Sequence, residues 1–131
     1  MTEPLDTSFP LKEFLGFEIE RGEGRAVASL ELGEHHMNPN DIAHGAVTFA
    51  LMDTAMGAAV MSVVDDGKLC ATIEIHARFH RGARSGRLAA EAAVLTAGRR
   101  IIQLEARTTD GDGRLIPSST GSFAVSDAAA G

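Results

Sequence analysis

The sequence is poor in cysteine and in aromatic residues. Cys70 is its single cysteine, and its 131 residues include neither tryptophan nor tyrosine. One cysteine cannot form an internal disulfide, and no Cys/His spacing typical of a zinc site surrounds it. Without Trp and Tyr, the chain lacks the usual side chains for anchoring at a membrane interface or stacking on bases and sugars. We therefore expect a reducing, cytoplasmic location and a core whose aromatic packing rests on six phenylalanines.

Positive charge is also scarce. Lys and Arg number 12 against 18 Asp and Glu, so the net charge is −6 at neutral pH. Proteins that bind nucleic acids or acidic membranes need a basic surface to recruit phosphates. We therefore expect neither a nucleic-acid nor a membrane partner, and contact with phosphates only at local basic clusters. The N-terminus also lacks the basic and apolar regions of a secretory signal, so export is not expected.

The composition is that of a chain with one hydrophobic core. Apolar residues make up 44% and charged residues 23% of the sequence. This balance excludes the low hydrophobicity and high charge of disordered chains. We find no linker or internal repeat, and we predict a single domain over residues 1–131. Its ends, about residues 1–8 and 126–131, are expected to be flexible.

The longest apolar run covers residues 45–64, GAVTFALMDTAMGAAVMSVV, and Asp53 is its single charge. Its length fits a bilayer, but an ionised Asp at mid-membrane costs roughly 2.5–3.5 kcal/mol on insertion scales. A helix that is apolar on nearly every side is better explained by protein that surrounds it. We therefore predict a long central helix covered by strands and by a second subunit.

Period-two sequence on both sides of this run predicts the strands. The clearest alternation runs from Thr72 to His80, with Ile73, Ile75, Ala77 and Phe79 on one face and Thr72 on the other. Further strands are predicted at residues 25–32, 88–95, 100–108 and 114–125, joined by Gly-containing turns. The expected fold class is α+β: a hotdog fold, in which a curved antiparallel sheet of five to six strands wraps around one long helix.

Polar residues that a buried helix does not need are concentrated at residues 37–57. Asp53 lies within the helix, where a carboxylate loses its hydration, and we interpret it as a base or nucleophile. Gly45 lies near the helix start, where free N–H groups and the helix dipole favour a negative oxygen. His44 is expected to hold a substrate carbonyl or orient the loop, and Asn38 to hold a water or the reacting carboxylate. For each of the four, a purely structural role is the alternative.

Helix geometry constrains how these groups can meet. Eight residues at 1.5 Å each separate Gly45 and Asp53 by roughly 12 Å, too far to act on one carbonyl. An antiparallel pairing of two helices about a two-fold axis would bring the Gly45 end of one toward Asp53 of the other. We therefore predict a homodimer with two composite sites, with pairing of dimers into a tetramer as an extension.

Three segments resemble the acyl-CoA thioesterases of the phenylacetate-degradation (PaaI-like) branch of the hotdog fold. They are NPNDIAHGAVTFALMDTAMG, TIEIHARFHRGARSGRLAAEAAVLTAGRR and LEARTTDGDGRLIPSSTGSFAV, which together cover most of the chain. In that family an N-x5-HGG segment leads into the helix, and a catalytic Asp follows the His by nine residues. The matching positions are Asn38, His44, Gly45 and Asp53, with Ala46 in place of the second glycine.

The resemblance implies an enzyme that hydrolyses an acyl-CoA or aryl-CoA thioester to free acid and CoA without a cofactor. Asp53 would attack the carbonyl or activate water, the Gly45 N–H would stabilise the oxyanion, and Thr72 would orient the water. CoA also carries phosphates, for which basic residues at turns are candidates. These candidates are Arg81, Arg84, Arg99 and Arg100.

Three other functions stay open. A non-catalytic acyl-CoA-binding hotdog protein would not need Asp53 and Thr72 together. A hydratase would need an Asp and a His in the positions where this chain has His36 and Asp41, in the reverse order. A metal site would draw on ligand-type side chains within ten residues, although no recognised zinc spacing is present. Those side chains are His35, His36, Asp41 and His44.

Overall fold

The computed structural model describes residues 1–128, in which a long helix packs against one antiparallel sheet. The sheet order is β1-β2-β3-β5-β6-β7-β4. The strands are β1 Glu3–Pro4, β2 Glu18–Gly22, β3 Arg25–Glu31, β4 Lys68–Phe79, β5 Arg87–Ala97, β6 Ile101–Thr109 and β7 Leu115–Asp127. The helices are α1 Pro10–Leu15 and α2 Gly45–Met61, with a 3-10 turn at Glu34–His36. The predicted α+β hotdog fold is confirmed.

The sheet differs from the prediction at its margins. Residues 1–128 form seven strands rather than five to six, because Glu3 and Pro4 pair with Arg21 and Glu20 of β2. A two-residue strand is too short for sequence periodicity to detect. At the other end, β7 continues to Asp127. The predicted flexibility of residues 126–131 concerns in part residues 129–131, which lie outside the described range.

One face of α2 forms the core with the sheet. Leu51, Met52 and Met56 are completely buried. They belong to a cluster that includes Leu88 of β5 and Leu104 of β6. Burying a side chain of this size contributes about 1.5–3 kcal/mol relative to leaving it exposed. Contact with this face therefore holds the helix on the sheet.

The other face of α2 is only partly covered. At helical spacing, half-buried or exposed residues form a continuous surface that we call the open stripe. It consists of Ala46, Phe49, Ala50, Asp53, Thr54, Gly57, Ala58 and Met61. Asp53 and Thr54 are its two polar members. In residues 1–128 no helix is long and apolar enough to cross a membrane, and α2 has 17 residues.

Strand β4 runs beside the open stripe and forms an edge of the sheet. It pairs with β7 on one side, and its other edge is unpaired along 12 residues of the described chain. Leu69, Ile73 and Phe79 are exposed along it. Proteins normally protect a long apolar edge because its free backbone groups can pair with another strand. This edge is therefore suited to pairing with a second copy of the chain.

A β-bulge in β4 changes the predicted alternation. The register shifts between Thr72 and Glu74, so Ile73 is left without a partner and is 52% exposed. Thr72 lies opposite buried Phe123 and therefore faces α2. The prediction that Thr72 and Ile75 face opposite sides was wrong, because the extra residue reverses the alternation at this point.

Candidate active site

The bulge places the Thr72 hydroxyl against the carboxylate of Asp53. Thr72 Oγ1 donates a hydrogen bond of 2.6 Å to Asp53 Oδ1. Asp53 is half-buried on the open stripe, and its second oxygen has no protein donor among residues 1–128. The hydroxyl thus fixes the direction of the carboxylate and leaves one oxygen available. The predicted partners Asp53 and Thr72 therefore lie together, although Thr72 contacts the carboxylate directly.

The Cys70 thiol lies close enough to Asp53 for the charge of that carboxylate to change its pKa. Burial raises the pKa of the Cys70 thiol, and the negative charge of Asp53 raises it further. The thiol sulfur lies 3.9 Å from the Gly57 carbonyl oxygen. A thiol with a raised pKa is a poor nucleophile at neutral pH. This environment makes Cys70 a poor candidate for the nucleophile of the site.

The first turn of α2 presents a backbone donor at Gly45. The N–H groups of Val47 and Thr48 donate to the His44 carbonyl, and the Ala46 N–H donates to His44 Nδ1. The Gly45 N–H has no acceptor in the described chain. A Cβ at this position would lie 3.3 Å from Phe79 Cε1. The helix start therefore keeps one N–H without a partner in the described chain, and the absence of a Cβ at Gly45 leaves room for a ligand beside it.

His44 caps the helix and retains a second donor. Its Nδ1 accepts from the Ala46 N–H at 2.9 Å, so in this arrangement the ring proton is on Nε2. The ring is exposed at the same end of α2 as the free Gly45 N–H. Nδ1 thus serves the start of the helix, and Nε2–H has no acceptor among residues 1–128. Ala46, which replaces the second glycine of the family motif, does not disturb the helix start because its side chain is exposed.

Asn38 is used mainly to shape the loop before α2. Its side-chain oxygen accepts from the N–H groups of Asn40 at 2.8 Å and Ile42 at 3.2 Å. These bonds close a tight turn in which Asp41 adopts a left-handed conformation, with φ of 59°. The amide nitrogen is the part of Asn38 that remains for a water or substrate.

The four candidate arginines form two separate pairs. Arg81 lines a depression of about 360 Å³ together with Gly45 and Phe79, and Arg84 donates to the Asn40 carbonyl at 3.4 Å. Arg99 and Arg100 follow β5, where they line a depression of about 530 Å³ with Lys68. The 11 residues of β5 separate the pairs by roughly 30 Å. Within one chain, therefore, the two pairs cannot bind the same phosphate.

An apolar groove of about 470 Å³ extends along the open stripe next to Asp53. Thr54, Gly57, Ala58 and Met61 form its floor, and Leu5, Phe9, Ile19, Arg21 and Cys70 are among the residues of its walls. Its walls come from β2 and β4, which lie near opposite margins of the sheet, so the sheet curves around this half of the helix. Sequence reasoning missed Arg21, although its spacing of two from Ile19 indicates the same inward face.

His36, which was considered for a hydratase and for a metal site, has a structural role. His36 is buried, with Nδ1 accepting from the Gly33 N–H and Nε2 lying 2.7 Å from the Leu15 carbonyl oxygen. Both ring nitrogens are thus occupied, which leaves none for a hydratase or a metal. No group of three or more His, Cys, Asp or Glu side chains in residues 1–128 is arranged to hold a metal ion.

Comparisons with known proteins agree with this fold. The model of the thioesterase superfamily matches residues 40–117. A thioesterase from Haemophilus influenzae of known structure is 27% identical, with a TM-score of 0.87 over 92% of this chain and 85% of that one. A conserved Pseudomonas aeruginosa protein, PA5202, is 31% identical, with a TM-score of 0.86 over 91% and 95%. ComA2 of Bacillus subtilis, named for a proposed esterase activity, is 30% identical over 92% and 98% of the two chains.

These matches cover the helix, the Gly45 turn and most of the sheet. They confirm the predicted enzyme class, a thioester hydrolase, and the resemblance to hotdog thioesterases. They do not distinguish the phenylacetate-degradation branch from others, so that assignment stays a prediction. By its fold and by the matched residues 40–117, this chain belongs to the thioesterase superfamily.

Proposed function

We propose that this protein hydrolyses acyl-CoA thioesters at sites shared between two subunits, with Asp53 as the reacting carboxylate. The observation that carries the proposal is the Thr72–Asp53 hydrogen bond on a largely apolar stripe. A carboxylate that is half-buried and oriented by a hydroxyl suits a general base or a nucleophile. A non-catalytic binding protein would gain nothing from this pairing, because leaving the carboxylate there costs hydration.

The site needs a second subunit because its parts lie apart within one chain. Gly45 and Asp53 are separated by roughly 12 Å along α2. Gly45 lies against Phe79, whereas Asp53 binds Thr72. If Gly45 of one subunit is placed beside the partner's Asp53, Phe79 comes beside the partner's Thr72. The two-fold axis then passes near Ile75 and His76, close to the middle of β4.

The proposed two-fold axis accounts for two exposed features together, Phe49 on α2 and the unpaired edge of β4. On α2 the midpoint between Gly45 and Asp53 is Phe49, which is exposed on the open stripe. On β4 the unpaired edge would join the same edge of the partner. The two contacts would cover the part of the open stripe around Phe49 and satisfy the free backbone groups of β4. The same symmetry gives two identical sites for each dimer.

The reaction follows from the groups that would then meet. As a base, Asp53 takes a proton from water, and the water oxygen bonds to the thioester carbonyl carbon. The oxyanion accepts hydrogen bonds from the partner's Gly45 N–H and from His44 Nε2–H of that subunit. Collapse of the intermediate breaks the C–S bond and releases the acid and the CoA thiolate, which takes the proton back from Asp53 and restores the carboxylate. One donor of this kind typically contributes about 2.7–4 kcal/mol to lowering the barrier.

Asp53 as a nucleophile is the second possible route. Its free oxygen would bond to the carbonyl carbon and expel the CoA thiolate, which leaves an acyl-Asp53 anhydride. Water would then hydrolyse the anhydride and restore the carboxylate. Both routes use the same oxyanion donors, so the position of Asp53 supports each equally.

The two ends of the substrate would occupy different surfaces. The acyl group fits the apolar groove that begins at Thr54, next to Asp53. The CoA portion would leave past the partner's Gly45, where Arg81 lines the same depression. The proposed axis also brings the partner's Arg81 and Arg84 toward Lys68, near Arg99 and Arg100. Both arginine pairs could thus serve one CoA, each from a different subunit.

The test is a thiol-release assay with aryl, short, medium and long acyl-CoA thioesters. We expect turnover of at least one thioester and a loss of about 10²- to 10⁴-fold in kcat for Asp53→Asn. Asp65→Asn, which changes an exposed carboxylate outside the stripe, is the matched control and keeps full activity. Binding of acyl-CoA without turnover of any thioester would favour the non-catalytic alternative instead.

A further inference from the structure

One cation in the apolar groove has no anionic partner among residues 1–128. Arg21 is half-buried on β2 and lines the groove with Ile19, Phe9 and Met61. The ion pair recorded in residues 1–128 joins Lys68 and Asp127, and no side-chain hydrogen bond involves Arg21. Glu3 is the cross-strand neighbour of Arg21 on β1, yet the two charged groups lie beyond ion-pair distance.

This arrangement is costly unless something binds the guanidinium. Arg carries five N–H donors and stays charged at all ordinary pH values, so its partial burial loses hydration that no acceptor within residues 1–128 replaces. The last turn of α2 lies near it at Met61, where the carbonyls of Ala58, Ala59 and Val60 already accept bonds from the N–H groups of Ser62 and Val63. A planar guanidinium binds a carboxylate through two parallel hydrogen bonds.

We propose that Arg21 selects acyl groups that carry a carboxylate at the end distant from the thioester. This inference rests on the proposed function, because it assigns the groove to the acyl chain. The groove begins beside Asp53 at Thr54, and Arg21 forms part of its wall. A dicarboxylic monothioester would thus have its carbonyl at Asp53, its methylene chain against Ala58 and Phe9, and its free carboxylate at Arg21.

The experiment compares thioesters that differ in one terminal group. Glutaryl-, adipyl- and suberyl-CoA are measured against pentanoyl-, hexanoyl- and octanoyl-CoA, which have the same chain lengths and end in methyl. We expect the natural protein to give a higher kcat/KM for the carboxylate member of at least one pair. In Arg21→Met the carboxylate-to-methyl ratio for that pair should fall about 10- to 100-fold, while hexanoyl-CoA turnover persists. Arg21→Lys should keep part of the ratio.

Controls separate this inference from the function on which it rests. Arg114→Met removes an exposed Arg of the turn before β7 and should leave the ratio unchanged. If no thioester is hydrolysed, or if Asp53→Asn retains activity, the proposed function fails and the inference fails with it. If hydrolysis depends on Asp53 but the natural protein shows no preference for any carboxylate, the Arg21 inference alone is wrong. The same holds if Arg21→Met leaves the ratio intact.

Discussion

The two faces of α2 have opposite characters. The face toward the sheet is completely buried at Leu51, Met52 and Met56. The open stripe is half-exposed, is built largely from small residues and carries Asp53. Within one chain, packing on the sheet covers the first face completely. Nothing in residues 1–128 covers the second face to the same extent. The difference indicates that one face of the helix serves the fold, and the other serves assembly and chemistry.

The largest expected effect comes from charging the centre of the open stripe. Phe49→Glu would place two carboxylates next to each other at the proposed axis, where like charges repel and lose hydration. We expect a monomer at micromolar concentration by sedimentation velocity and an almost complete loss of thioester hydrolysis. Phe14→Glu makes the same change at an exposed Phe of α1 and should leave the dimer intact. A fully active dimer of Phe49→Glu would refute the proposed interface.

A substitution on the buried face of α2 should lower the free energy of unfolding. Leu51→Ala removes a side chain that is completely enclosed between α2 and the sheet, which leaves a cavity. We expect the free energy of unfolding to fall by about 2–5 kcal/mol. Denaturant titration at a fixed protein concentration measures the change. Leu11→Ala, at an exposed position of α1, should cost far less, and equal costs for the two variants would contradict the assignment of the core face.

The smallest of these effects concerns the orientation of the carboxylate. Thr72→Val keeps the shape of the side chain but removes the hydrogen bond to Asp53. Because Thr72 acts by positioning Asp53, we expect kcat to fall roughly tenfold, with little change in KM. Thr72→Ser keeps the hydroxyl and should recover most of the activity. A loss in the Ser variant as large as in the Val variant would indicate that the methyl group matters instead.

Sequence patterns were sufficient to predict the central helix and to single out Asp53 and Gly45, whose proposed roles stay predictions. An apolar run that contains one carboxylate can be stable only inside protein, and this argument located both α2 and Asp53. Gly45 followed from its place before the run, where helix N–H groups have no partner. The fold class needed only the order of the helix and the alternating strands.

Other features depend on contacts that periodicity does not encode. Nothing in the alternation of β4 marks Ile73 as an inserted residue, so the orientation of Thr72 required the paired strand β7. The separation of the arginine pairs follows from the length of β5, which was predicted shorter than it is. Arg21 was missed because its short strand has few alternating positions, and its isolation becomes visible only when the groove is formed.

The most direct test of a shared site mixes two inactive subunits. Gly45→Pro removes the proposed oxyanion donor, and Pro is tolerated at the first position of a helix, where His44 already has an extended conformation. Gly45→Ala adds a Cβ but keeps the N–H, so it controls for contact with Phe79. Gly45→Pro and Asp53→Asn are each expected to be inactive alone.

Unfolding and refolding equal amounts of the two variants together produces mixed dimers. In a mixed dimer one site carries both defects, and the other combines the natural Gly45 of one subunit with the natural Asp53 of the other. With half of the dimers mixed and one site active in each, we predict that about one quarter of the natural activity returns. If the mixture stays as inactive as its components, the two residues act within one chain, and the shared site is wrong.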